Sequence, residues 1–240
     1  MAKALEKWEV QEHGSVQEID EGLLTVEGTI TMPLGNFPRR MTVVRLTGGG
    51  TVIYSAVALQ EADMSRIEAL GAPTFMVVPS GHHRLDARIW KQRYPAITVV
   101  TPPGARADVE EVVSVDATSD VFDDPDVRFL IVAGTAQREA ALMVTRSGDR
   151  SLIANDVIAH VAHPDGLGAK VMARLMGFGV NHPQTPGVIQ RMVVEDKPAL
   201  AAQFREWSND GRLRRIIVSH GDVIHEPQEA LSALAEALES

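Results

Sequence analysis

The sequence predicts an α+β fold of the αββα kind: two mixed β-sheets packed face to face, with helices on both outer faces. Three observations predict it. A glycine-joined pair of β-branched runs, Met41 to Leu46 and Thr51 to Val57, leads into alternating helix and strand. Short apolar strands with few helical residues between them fill the middle of the chain, and helix, strand and helix close it. At 240 residues and 45% hydrophobic content, the chain can bury a substantial core. No long linker, solenoid-period repeat or low-complexity stretch divides it, so residues 1–240 read as a single domain, with 1–20 a loosely ordered N-terminal extension.

The first 38 residues are polar and turn-rich, except for the strand-like alternation of Leu23 to Met32, closed by Pro33, Gly35 and Pro38. Gly48-Gly49-Gly50 then joins the two runs of the hairpin. Leu59 to Leu70 has helical spacing, with Met64, Ile67 and Leu70 inward and Gly71 and Pro73 as its stop. Thr74 to Val78 is a continuous apolar run, the mark of a strand buried on both faces. Asp86 to Tyr94 reads as a helix ended by Pro95, and Ile97 to Val100 as the next strand. Val112 to Val115, Val127 to Ala133, Ala140 to Thr145 and Ser151 to Ile153 supply the strands of a meander. Val157 to Val180 reads as loop, then a short helix over 169–175. Lys197 to Ser208 is a helix with Leu200, Phe204 and Trp207 on one face, Arg214 to Val218 a strand, and Pro227 to Leu238 an amphipathic helix through Leu231, Leu234 and Leu238.

Composition excludes several function classes. Twenty-three Lys and Arg against 32 Asp and Glu leave a net charge of −9, which disfavours nucleic acid and anionic membranes as partners. With no cysteine, disulfides, thiolate zinc sites and thiol nucleophiles are all ruled out. No secretion signal or membrane-spanning run is evident, so a cytoplasmic location is expected. The triple glycine lacks the lysine of a phosphate-cradling loop, and Ser219 lacks a nucleophile elbow.

What remains is imidazole and carboxylate at the carboxyl ends of buried strands, where folds with such strands place their sites. His82, His83 and Asp86 follow Thr74 to Val78, Asp156 follows Ser151 to Ile153, and Ser219-His220-Gly221-Asp222 follows Arg214 to Val218. Nitrogen and oxygen donors of this kind suit Zn²⁺, Fe²⁺ or Mn²⁺, and a cation there would acidify water enough for hydrolysis near neutral pH. His160, His163 and His182 lie in the loop-rich stretch and could reach the same cleft. Met172, Met176 and Phe178 form an apolar stripe suited to core or to an oligomer contact, which leaves a homo-oligomer open.

The motifs Met41-Thr-Val-Val-Arg-Leu, Gly-Gly-Gly-Thr-Val-Ile-Tyr-Ser, Pro79-Ser80-Gly81-His82-His83, Asn155-Asp156-Val157 and Val218-Ser219-His220-Gly221-Asp222 occur in an order that resembles the metallo-β-lactamase superfamily. More narrowly, they resemble a branch of unknown function with a reduced metal motif. The likeness spans roughly residues 20–238. The superfamily's Thr-His-X-His-X-Asp-His overlies Pro79 to Leu85, so Ser80 and Leu85 replace histidines and only His82 falls on a ligand position, with His83 or Asp86 able to compensate by a local shift. Its middle Gly-His-Thr-Pro-Gly-His overlies Gly134 to Glu139, so Thr135 replaces a ligand.

The resemblance implies a metal-dependent hydrolase of a small-molecule substrate, using one divalent metal rather than two, zinc ahead of iron or manganese. His82, Asp156 and His220 would hold it, with His83, Asp86 and Glu139 completing or orienting the shell. The nucleophile would be hydroxide on the metal, and Glu139 or Asp156 would handle its proton. The lost histidines equally suit a non-catalytic ligand-binding or interaction domain with a degenerate, metal-free site, and the donor set also fits a non-haem iron oxidoreductase.

Overall fold

A computed structural model describes residues 4–32, 35–161 and 182–240. Among these residues the strands form two sheets. The first holds β1 (Gln17–Asp20), β2 (Leu23–Met32), β3 (Gly35–Arg45), β4 (Thr51–Tyr54), β5 (Pro73–Val77) and β6 (Thr98–Val100) in spatial order. Its first four strands are antiparallel, and β4, β5 and β6 are parallel. The second sheet runs β10-β9-β8-β7, built from β7 (Val127–Ile131), β8 (Ala140–Arg146), β9 (Asp149–Ala154) and β10 (Leu213–Val218), with only the β9–β10 pair parallel. Both sheets are therefore mixed, as expected.

The alternation of side chains across each strand builds the layers. Val44, Val52 and Val77 face inward and meet Phe129, Leu142, Ile153 and Ile217 of the opposite sheet in a shared core. Their neighbours Val43, Ile53 and Met76 face outward, beneath α1 (Glu61–Leu70) and α2 (Ala87–Arg93), where Met64, Ile67, Ile89 and Trp90 cover them. On the far side, Leu152 and Ile216 pack under α5 (Lys197–Ser208) and α6 (Pro227–Glu239) through Leu200, Phe204, Leu231 and Leu234. The result is helix, sheet, sheet, helix. Tyr54 ties the sheets at one end, its hydroxyl donating to the Ala140 carbonyl at 2.8 Å. Burial pushes that phenol well above its ordinary pKa.

Several elements differ from expectation. β3 begins at Gly35 and runs through Pro38, which had been read as a breaker. Proline fits because β4 pairs only with Thr42 to Arg45, leaving the earlier part of β3 without a strand on that side. Val112 to Val115 is not a strand. The chain makes the short helix α3 (Arg106–Glu110) and a turn, and Asp116 accepts the Val99 N–H at 2.8 Å, ending the sheet at β6 with a side chain. β5 is buried only over Met76 and Val77, because its first residues stay half-exposed. β1 and the short α4 (Gly187–Met192) had no clear sequence signal. The helix read over 169–175, with Met172, Met176, Phe178 and His163, lies outside the described residues. Trp8 stacks 5.6 Å from Trp90 and donates its indole N–H to Leu59 O at 3.1 Å, which lays the N-terminal segment along the outer face of α2. No described helix is long and apolar enough to cross a membrane.

Replacing Phe204, which is fully buried between α5 and the second sheet, with alanine should cost about 3–5 kcal/mol in urea denaturation. Val121→Ala, at a site 39% exposed, should stay within about 0.5 kcal/mol.

Candidate metal centre

Four strand ends converge at one edge of the sandwich. Ser55 follows β4, the Pro79 to Arg84 turn follows β5, Asn155-Asp156 follows β9 and Ser219-His220-Gly221 follows β10. Each segment is closed locally. The His83 N–H donates to Ser80 O at 3.2 Å, the Ile158 N–H to Asn155 O at 3.2 Å, and the Ser219 N–H to Ala154 O at 3.0 Å. Gly221 sits at φ +108°, and a Cβ there would overlap the His160 carbonyl, which accepts the Asp222 N–H at 2.7 Å. Only glycine permits that approach.

The structure brings His83, Asp156 and His220 together. His83 Nε2 lies 3.1 Å from Asp156 Oδ1 and 3.1 Å from His220 Nε2, and His220 Nε2 lies 3.0 Å from the same Asp156 oxygen. Among the described residues, this is the group of three with metal-ligand geometry. The far ring nitrogens are also engaged. His220 Nδ1 lies 2.7 Å from Pro38 O, and a carbonyl can only accept, so the proton sits on Nδ1. His83 Nδ1 lies 2.9 Å from Ser55 Oγ. Ser55 itself adopts φ +55°, a left-handed conformation costly for a residue with a side chain, and that conformation aims its hydroxyl at the ring.

With its proton on Nδ1, a neutral His220 turns a lone pair toward a carboxylate oxygen and a second imidazole. Two ring nitrogens and a carboxylate oxygen at about 3 Å repel unless a proton or a cation lies among them. Around a tetrahedral Zn²⁺ with bonds of about 2.0–2.1 Å, donors stand roughly 3.3–3.4 Å apart. The trio thus needs only a few tenths of an ångström of expansion to hold such a cation, and the donor set fits Zn²⁺. Burial pushes the Asp156 carboxyl up, but the neighbouring His83 and the bonds from both imidazoles outweigh this and hold it well below the usual carboxylate range. Burial lowers the His83 pKa and favours the neutral, ligand-competent ring, against the pull of Asp156.

The remaining expected residues lie around this trio. His82 is exposed, its backbone N–H donating to Ser80 Oγ at 3.3 Å, and it stands outside the cluster. Asp86 is buried away from it, bonded to the Arg39 guanidinium and accepting the Ala58 N–H at 3.0 Å. Glu139 is fully buried, with its oxygens 3.2 and 3.0 Å from Asn155 Nδ2 and with further bonds from Ser80 and the Asp156 backbone. Burial and the Asp156 charge push its carboxyl well above the usual range, against the bonds from Asn155, the Asp156 backbone and Ser80. His160 contributes its backbone, its N–H donating to His220 O at 3.1 Å, and His182 meets Gln184 instead. Sequence reasoning missed Ser55 and Pro38, which orient the two imidazoles, because neither residue type nor spacing marks an orienting partner.

Solved structures share this architecture. The FIM-1 metallo-β-lactamase from Pseudomonas aeruginosa, in its mono-zinc form, aligns with a TM-score of 0.63 at 13% identity, over 96% of this chain and 98% of that one. A metallo-β-lactamase from Pontibacter korlensis gives 0.63 at 13% over 94% and 99%, and one from Erythrobacter litoralis 0.61 at 15% over 92% and 96%. The chain has the metallo-β-lactamase fold, and at these identities the likeness is one of fold. No protein-family model matches the sequence, and no curated protein matches it either.

In metal-free protein, Glu139 keeps in the fold a proton that the unfolded chain loses above about pH 4.3. Its stabilising contribution is therefore complete below that pH and shrinks as pH rises toward the raised folded value. Urea midpoints in chelator across roughly pH 5 to 7 should fall for wild type relative to Glu139→Gln, by at most about 1.4 kcal/mol per pH unit.

Proposed function

We propose that this protein is a metal-dependent hydrolase acting on a small-molecule substrate, with a single divalent cation, zinc ahead of iron or manganese, held by His83, Asp156 and His220. One observation carries the reading: two imidazole Nε2 atoms and a carboxylate oxygen face one another at 3.0–3.1 Å while Ser55 and Pro38 engage the outer ring nitrogens. A bound divalent cation would supply Lewis acidity, polarising the bond to be cleaved and making water a competent nucleophile near neutral pH.

The chain's own residues do the rest. Pro38 fixes the tautomer of His220 and, with Ser55, the orientation of the two rings, so His220 arrives with its Nε2 lone pair directed inward. Asp156, kept ionised, contributes charge and can accept a proton from water beside the centre. Glu139, enclosed, is bonded to the Asp156 backbone and to Asn155, and so orients the aspartate loop. Phe37 stacks on His220 with ring centroids 4.9 Å apart and shields one side of the ligand.

A second reading is a metal-free binding domain. It draws on the same distances, since a protonated imidazole could bridge the trio through hydrogen bonds alone. Elemental analysis of purified protein separates the two. Wild type should carry about one equivalent of zinc, iron or manganese, and His220→Ala or His83→Ala should bind the same ion more than about 100-fold less tightly. Protein that stays empty after incubation with all three ions overturns the enzymatic reading.

A further inference from the structure

Three consecutive residues of β3 reach the centre by different routes. The Pro38 carbonyl accepts from His220. The Arg39 side chain points to the outer face and binds Asp86, which follows the turn bearing His83. The Arg40 side chain points to the inner face, where Nη2 donates to the Gly221 carbonyl at 2.8 Å, one residue beyond His220. The same guanidinium meets Thr25 Oγ1 at 3.2 Å and Glu27 Oε1 at 2.5 Å.

Arg40 is only 3% exposed, and its Nε–H finds no acceptor among the described residues. Burying an incompletely bonded guanidinium is a poor way to stabilise a fold, and a well-packed apolar residue of similar volume often does as well or better. What arginine adds is direction, because its planar fork sets the angle between its acceptors. Here one prong is anchored on β2 through Thr25 and the other on the His220 loop. Gly221, at φ +108°, has no side chain with which to hold that loop, so its carbonyl is the handle.

We propose that Arg40 is a positioning residue of the metal centre, fixing the His220 loop through the Gly221 carbonyl so that His220 Nε2 meets the metal with the Nδ1–H on Pro38. This inference rests on the metal reading above.

The test compares wild type, Arg40→Met, Arg40→Lys and Arg150→Met. Arg150 is a partly buried arginine at the far end of β9, paired with Asp210 at 2.6 Å, and serves as a matched loss of an ion pair remote from the centre. Zinc affinity is read by chelator competition, ligand geometry by the visible absorption of the cobalt(II) protein, and metal-free stability by urea. Arg40→Met should bind zinc about 10–100-fold more weakly with altered cobalt bands, and Arg40→Lys should fall between, since it keeps the charge and loses the fork. Arg150→Met should keep its affinity within about threefold. Should Arg40→Met not fold, Arg40→Lys carries the comparison. Affinity and cobalt bands equal to wild type in the Arg40 variants, or losses no larger than that of Arg150→Met, overturn the proposal while leaving the metal reading intact. A wild-type protein that takes up neither zinc nor cobalt overturns both.

Discussion

His83 Nε2, His220 Nε2 and Asp156 Oδ1 face one another at contact distance in a buried setting, and such a grouping persists only under two conditions. A proton or a cation must lie among the three atoms, and the surrounding chain must prevent each side chain from turning away. The second condition explains much of the local structure. Pro38 O and Ser55 Oγ engage the outer ring nitrogens, and Ser55 adopts a left-handed conformation to do so. The loops after β9 and β10 are held by short backbone bonds rather than left open to solvent.

Ser55 and His83 follow strands of the first sheet and Asp156 and His220 strands of the second, so the centre is only as rigid as the contact between the sheets. Alternating inward residues such as Val44, Val52, Leu142 and Ile217 supply the shared core, and interiors at native packing density transmit small shifts rather than absorb them. Polar ties then cross at the site end. Tyr54 reaches Ala140, Arg40 reaches Gly221, and Asn155 bonds both Ser80 and Glu139. Each would cost stability if half satisfied, which concentrates constraint where ligand geometry matters most.

The fold is that of metallo-β-lactamases. The sequence resemblance sets Ser80 and Thr135 against histidine positions of that superfamily's motif. Ser80 now takes part in the buried network with Asn155, and Thr135 donates to Val132 O at 2.7 Å within a turn. Both side chains are committed to hydrogen bonds within the protein. Asp86 has likewise gone to a structural partner, the buried Arg39.

Much of the architecture was legible in the chain itself. Period-two alternation and β-branched runs marked β2, the β3–β4 hairpin and the β7–β9 meander, and apolar stripes at helical spacing marked α1, α5 and α6, because those signals follow from burying one face of a regular element. Val112 to Val115 misled for the same reason: its valines are apolar because Val113 and Val115 enter the core from a turn, without any ladder. At the site, residue type and position at strand ends pointed to His83, Asp156 and His220 together with His82 and Asp86, the family resemblance added Glu139, and composition excluded thiol chemistry. Which of these meet was decided only by tertiary structure. His83 lies 73 residues from Asp156 and 137 from His220 in the chain, so their convergence depends on how two sheets stack and how far each loop reaches past its strand. Adjacent residues such as His82 and His83 carry identical chemistry, and a single turn with Ser80 at its base sends one ring to solvent and the other to the centre.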